Sequence, residues 1–141
     1  MSESIVVGTD GSDTAKRAVA EAVRLAKALG AQLHVVSAYE PLRGVRIEGA
    51  AEAAPLPDDL VDSTLAQASA VGRFSDVEVS THAVRGDPAE ALVELAHEIN
   101  ASLIVVGNQG MHGAKRILGS VPNTVSHKAR CNVLIVATDS Q

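Results

Sequence analysis

A chain of 141 residues with a net charge of -5 has the length of one ordinary domain, and 46% hydrophobic against 21% charged residues suits a packed globule and not a disordered chain. One Phe, one Tyr and no Trp leave few rings to stack on bases, and the acidic balance lacks the Lys/Arg excess of a duplex-binding face, so nucleic acid is not the expected partner. A single cysteine, Cys131, excludes an intramolecular disulfide; the opening MSESIVVG lacks the pattern of a leader, and no apolar run has membrane-spanning length, so the cytoplasm is the expected compartment.

Short β-branched runs alternate with stretches of helical spacing along the chain, the pattern of a parallel sheet covered on both faces. Ile5-Val6-Val7 is the first strand, ending at Gly8. A helix is predicted from about Ser12 to Leu29, with Ala15, Ala18, Val19, Ala22, Val23, Ala26 and Leu29 as its apolar stripe, Arg17 and Glu21 paired outside it, and Gly30 as its stop. Leu33 to Ala38 is the second strand. Glu40 to Pro57 holds three prolines without a clear period and is read as a long surface connection.

From Asp58 to about Gly72 the spacing is weakly helical, with Leu60, Val61, Leu65, Ala68 and Val71 on one side. Val77 to Val84 is the third strand. The next helix is the best marked, because Asp87-Pro88-Ala89-Glu90 joins an N-cap, a first-turn proline and an acid at N3; Leu92, Val93, Leu95, Ala96 and Ile99 form its apolar face. Leu103 to Val106 is the fourth strand, a short helix runs from Ser120 to about Ala129, and Val133 to Val136 is the last strand. Right-handed crossovers then give a single-domain α/β fold, an open doubly wound five-stranded parallel sheet of order 3-2-1-4-5 with helices on both faces. Ligands of such sheets bind beyond the carboxyl ends of the strands, where strand order reverses.

The loops after Val7 and Val106 meet at that point, and both have unusual chemistry. Gly8-Thr9-Asp10-Gly11-Ser12 sets a carboxylate and two hydroxyls at a helix start, which also describes an ordinary turn capped by Ser12 or Asp10. Gly107-Asn108-Gln109-Gly110-Met111-His112-Gly113 leads to Gly119-Ser120 at the next helix start, where small residues and free amides make an anion cradle suited to phosphate. Lys115 and Arg116 either add positive charge there or point to water. The Gly-x-x-x-x-Gly-Lys-Ser/Thr loop is absent, as is Gly-x-Gly-x-x-Gly after the first strand, which disfavours a P-loop hydrolase and a nicotinamide dehydrogenase. His34 and His97 are read as structural, His112 and His127 flank the cradle, and no histidine pair has metal-ligand spacing, so no metal-binding site is assigned. Ser12 and Ser120 lack an evident His/Asp partner for nucleophilic catalysis, and no catalytic residue is assigned.

IVVGTDGSDTAKRAV, LIVVGNQGMHGAKRILGSVPNTVSHKA and NVLIVAT, in this order and spacing, resemble the universal stress protein family over most of the chain. The resemblance implies an adenine-nucleotide site for ATP or AMP, with cyclic AMP as a competitor. It puts Thr9, Asp10 and Gly11 at the nucleotide, backbone near Ala38 at the adenine, and Gly107, Gly110, Gly119, Ser120 and Val121 at ribose and phosphates. It also implies a homodimer through the last strand, Asn132 to Thr138. Met111 to Leu118 is one residue shorter than the family's usual spacing between glycines, which bears on phosphate geometry. Plain binding is the leading expectation. The alternatives are slow ATP hydrolysis with magnesium held by Asp10, and a dimeric interaction protein with a vestigial pocket.

Overall fold

Ile5, Val6 and Val7 are completely buried, with no polar residue interrupting them, because this strand is covered on both sides. The computed structural model describes residues 3–39, 57–108 and 119–137. In chain order these form β1 (Ser4–Gly8), α1 (Asp13–Leu29), β2 (Gln32–Tyr39), α2 (Pro57–Phe74), β3 (Val79–Arg85), α3 (Pro88–Glu98), β4 (Leu103–Gly107), α4 (Ser120–Lys128) and β5 (Asn132–Val136). All pairings are parallel, in the expected order β3-β2-β1-β4-β5.

Alternation along each strand sends side chains to two separate cores. Ile5, Val7, Leu33, Val35 and Val105 pack with α1 and α2, whereas Val6, Val36, Ile104 and Val106 pack with α3 and Val125 of α4. Ile5 is among the largest fully buried side chains, and truncating such a residue to alanine typically costs about 2–5 kcal/mol. Among the described residues no helix is long and apolar enough to cross a membrane.

The helices follow their sequence signals at the starts more closely than along their faces. Ser12 caps α1 and Gly30 ends it in the left-handed region at φ 66°, as expected. Leu29, expected in the stripe, is the last residue of α1 and is 54% exposed, so the buried stripe ends at Ala26. Glu21 pairs with Arg24 and not with Arg17, and that hydrogen bond holds the Glu21 carboxyl below the usual range. On α2, Val61, Leu65 and Ala68 are buried as expected, but Leu60 and Val71 are 52% and 44% exposed. The buried face of α2 instead includes Ser69 and Gly72, and the missing side chain of Gly72 lets the helix lie against Val79 of β3. On α3 the buried positions are Ala89, Ala91, Leu92 and Ala96, while Val93, Leu95 and Ile99 sit half-buried at the margin of the core.

The connection predicted over Glu40 to Pro57 lies outside the described residues, apart from Pro57, which opens α2. Cys131 is free and half-buried, and burial raises its thiol pKa, consistent with a packed, unreactive thiol. His34 is engaged with His82, whereas His97 and His127 are exposed on α3 and α4 and take no part in either core; His112 lies outside the described residues.

Candidate functional site

Two connections turn one way from β1 and two turn the other. β1 leads through α1 to β2, then α2 to β3, moving outward with both helices on one face; the chain then crosses behind β1 through α3 to reach β4, and α3 and α4 cover the other face. The carboxyl ends of β1 and β4, side by side, are therefore the point of reversal, where the departing chains leave a crevice.

A cleft of about 100 Å³ lies there. Its inner wall is apolar: Val36 and Ala38 of β2, Val106 of β4, and Pro88 and Leu92 at the start of α3. Its mouth is polar, formed by Thr9, Asp10, Thr14 and Gly107, with Val121 and Pro122 of α4 closing one side. Gly8 makes this arrangement possible, because a Cβ there would stand 3.1 Å from Leu92 Cδ1, closer than ordinary contact. A larger depression, about 530 Å³, lies at the amino end of the sheet between the carboxyl end of α3 and Cys131, away from both glycine-ended strands.

Backbone geometry gives the cleft its donors and acceptors. Val36 accepts the Thr9 N–H at 2.9 Å, so Val36 faces β1; Tyr39 accepts the Gly86 N–H at 2.8 Å, so Tyr39 faces the β3 side. By alternation the Ala38 N–H and C=O face the β1 side, but β1 pairs only as far as Gly8 opposite Val36. The peptide edge of Ala38 is thus turned toward the cleft beyond the last ladder rung.

Three helix starts surround or approach this region, and they differ. Ser12 Oγ accepts the Ala15 N–H at 3.2 Å, and Asp10 Oδ1 accepts the Ser12 N–H at 2.9 Å. Asp87 Oδ2 accepts the Glu90 N–H at 3.0 Å at the start of α3. At α4 the cap is Gly119, no side chain caps the helix, and its first turn contains no acid. Ser120 and Val121 therefore present first-turn amides and the positive end of the helix dipole, while Pro122 contributes no N–H.

Of the residues expected at a nucleotide, Thr9, Asp10, Ala38, Gly107 and Val121 line the cleft together. Gly119 and Ser120 stand immediately before Val121 at the helix start. Gly11 is turned away, lining instead a depression between α1 and α2 beside Thr64. Gly110, Lys115 and Arg116 lie outside the described residues, as does the shortened stretch Met111 to Leu118. Sequence reasoning did not find Pro88, Leu92 and Val36 as cleft walls; Pro88 was marked only as a helix-start residue and Leu92 as core. Neither ring that could have stacked on a base is at the cleft: Tyr39 packs with the α1 side core and Phe74 is 93% exposed at the end of α2. Among the described residues no group of three or more His, Cys, Asp or Glu could hold a metal ion.

Comparison with known proteins places the architecture. Universal stress protein Rv1636 of Mycobacterium tuberculosis is 40% identical over 149 aligned positions, covering 96% of this chain and 97% of that protein. A crystal structure of a universal stress protein in complex with cAMP superposes with a TM-score of 0.78 at 36% identity, covering 98% of each chain. The universal stress protein of Archaeoglobus fulgidus in complex with dAMP superposes with a TM-score of 0.69 at 25% identity, over 96% of this chain and 97% of that one. Residues 1–137 match the universal stress protein family, and with the sheet order and these relatives that match establishes that the chain belongs to it.

Proposed function

We propose that the chain is a stress-response regulatory module that binds an adenine nucleotide in the cleft at the ends of β1 and β4. The observation that carries this reading is the meeting, in one crevice, of the Ala38 peptide edge with the uncapped start of α4. A purine presents an adjacent acceptor and donor on one edge, which a strand peptide matches in plane. The walls suit the faces of that base without aromatic stacking, since Val36, Leu92 and Pro88 supply flat aliphatic contact. Phosphate would lie toward Gly107 and the amides of Ser120 and Val121, where the helix end favours negative charge. Relatives at 36% and 25% identity hold cAMP and dAMP, which supports the adenine class and keeps cyclic AMP beside ATP and AMP as ligand.

Asp10 is the only carboxylate among the described residues that line the cleft, and it is exposed at the mouth. One carboxylate suits magnesium arriving with a triphosphate, an ion that keeps most of its ligands as water and phosphate oxygen. Asp10 would then bind the hydrated ion and orient the polyphosphate.

Isothermal titration with ATP, AMP and cyclic AMP tests the reading. Saturable binding of at least one is expected, and no heat with any of them at millimolar concentration overturns it.

We infer further that two copies pair through β5. It is an outer strand of the sheet and offers Val133, Leu134, Ile135 and Val136, all half-buried and apolar, an edge that invites pairing; Thr138, at the end of the expected interface, lies outside the described residues. Sedimentation velocity showing only monomer at micromolar concentration would refute this. The single cysteine, free and unpaired, supports a reducing compartment such as the cytoplasm.

A further inference from the structure

Neither the cleft nor the two cores use His34 and His82. His34 lies on β2 opposite Val6 of β1, and His82 on β3 opposite Val36 of β2, so both rings project to the α3 side of the sheet. The rings stack at 27° with centroids 5.2 Å apart, and His34 Nδ1 is 3.0 Å from His82 Nε2. β3 is an outer strand, joined to the sheet through β2 alone.

A contact of this length between two imidazole nitrogens holds one proton, because one nitrogen must donate and the other accept. The neutral pair satisfies that requirement. One added proton strengthens the bond, since an imidazolium then donates to a neutral ring. A second added proton sets two N–H donors and two positive charges against each other, and the contact cannot survive it.

The surroundings define when this happens. On that face the neighbours of His34 along β2 are Gln32 and Val36, those of His82 along β3 are Ser80 and Val84, and β1 presents Val6; none of them is ionisable. Among the described residues, Glu98 of α3 is the carboxylate acting on His82, where it favours a proton. Burial opposes protonation of both rings, and His82 adds to that opposition at His34. Burial outweighs the gain from the charge-assisted bond, so both rings protonate below the ordinary 6.5. The folded state binds fewer protons than the unfolded one, so the stability is fully present above the unfolded value and is lost as pH falls through the folded ones.

We propose that His34 and His82 form a proton-operated clasp on the edge of the sheet, which holds β3 to β2 until both rings are charged and then releases it, loosening the adjoining nucleotide cleft. The link to the cleft is short: His82 is the register partner of Val36, and Val36 both lines the cleft and accepts the Thr9 N–H at 2.9 Å. This second half rests on the nucleotide reading above; the clasp itself does not.

Amide exchange of the whole chain, followed by NMR in buffer with EDTA from about pH 7.5 to about pH 5, reads the clasp directly. After correction for intrinsic rates, β3 protection is expected to fall about tenfold or more relative to β4, and to stay level in His82→Gln, whose amide bonds without titrating. Equal loss in β3 and β4, or the same loss in His82→Gln, overturns the proposal. Should that variant fail to fold, the wild-type imidazole titrations decide: two coupled steps are expected, and two independent single-site curves overturn the clasp. Cyclic AMP, whose phosphodiester does not titrate here, reads the coupling, with affinity expected to weaken about tenfold in wild type and not in His82→Gln. Equal weakening in both refutes the coupling. If cyclic AMP does not bind, AMP at each pH takes its place in the same comparison with His82→Gln; no binding of ATP, AMP or cyclic AMP removes the nucleotide reading and the coupling with it, while exchange still decides the clasp.

Discussion

α1 and α4 leave the sheet on either side of the same crevice, and their first turns are built differently. The two cap residues have almost the same extended backbone, Ser12 at φ -72° and ψ 166°, Gly119 at φ -65° and ψ 167°. A side chain is compatible with the Gly119 backbone, so its absence is not forced by conformation. Where Ser12 turns its hydroxyl onto the Ala15 amide, Gly119 leaves the amides of Ser120 and Val121 without a side-chain acceptor. α3 follows the α1 pattern, with Asp87 on the Glu90 amide. Two starts are completed from within the chain; the third, with no side-chain cap, is where the proposed nucleotide phosphate would sit.

The largest expected effect comes from converting the third start into one of the first two. Gly119→Asp would put a carboxylate where a phosphate is proposed, weakening nucleotide affinity by about 100-fold, roughly the worth of losing charge-assisted hydrogen bonds, while adding only about 0.3 kcal/mol of helix capping, since glycine is itself a fair cap. Calorimetry beside thermal unfolding separates the two; unchanged affinity would mean that the start of α4 does not meet the ligand. Next, Ser12→Ala and Asp87→Ala are each expected to lose about 1 kcal/mol of stability, seen as a fall of roughly 3–5 °C in Tm. A loss limited to nucleotide binding, with Tm unchanged, would contradict their capping role. Smallest is Lys128→Ala, which removes a 4.0 Å pairing between the end of α4 and Glu90 in the first turn of α3. Both partners are well exposed, so urea unfolding should change by no more than about 0.5 kcal/mol.

The features legible in the sequence were those set by near neighbours. Asp87-Pro88 gave the start of α3, Gly30 gave the end of α1, and the uninterrupted run Ile5-Val6-Val7 marked a strand covered on both faces. For the site, the residues after β1 and β4 carried their own signal through glycine, hydroxyl and acid in tight loops. Gly11 belonged to that signal and yet faces the other way, because a turn residue's direction depends on the helix it packs under, here α2 through Thr64. Leu60 and Val71 fitted a periodic face but stand exposed, since periodicity finds an apolar side without fixing how far the neighbouring sheet reaches.

The sequence by itself determined the alternation of strands and helices and the starts and stops of most of them, because each depends on contacts within a few residues. The tertiary structure alone decided that Leu92 and Pro88 would wall the cleft beside Val36, that Ala38 would outrun β1, and that His34 would meet a histidine 48 residues later in the chain. Those relations are made across the sheet, by register and by the face on which each crossover helix lands, and no local spacing encodes them.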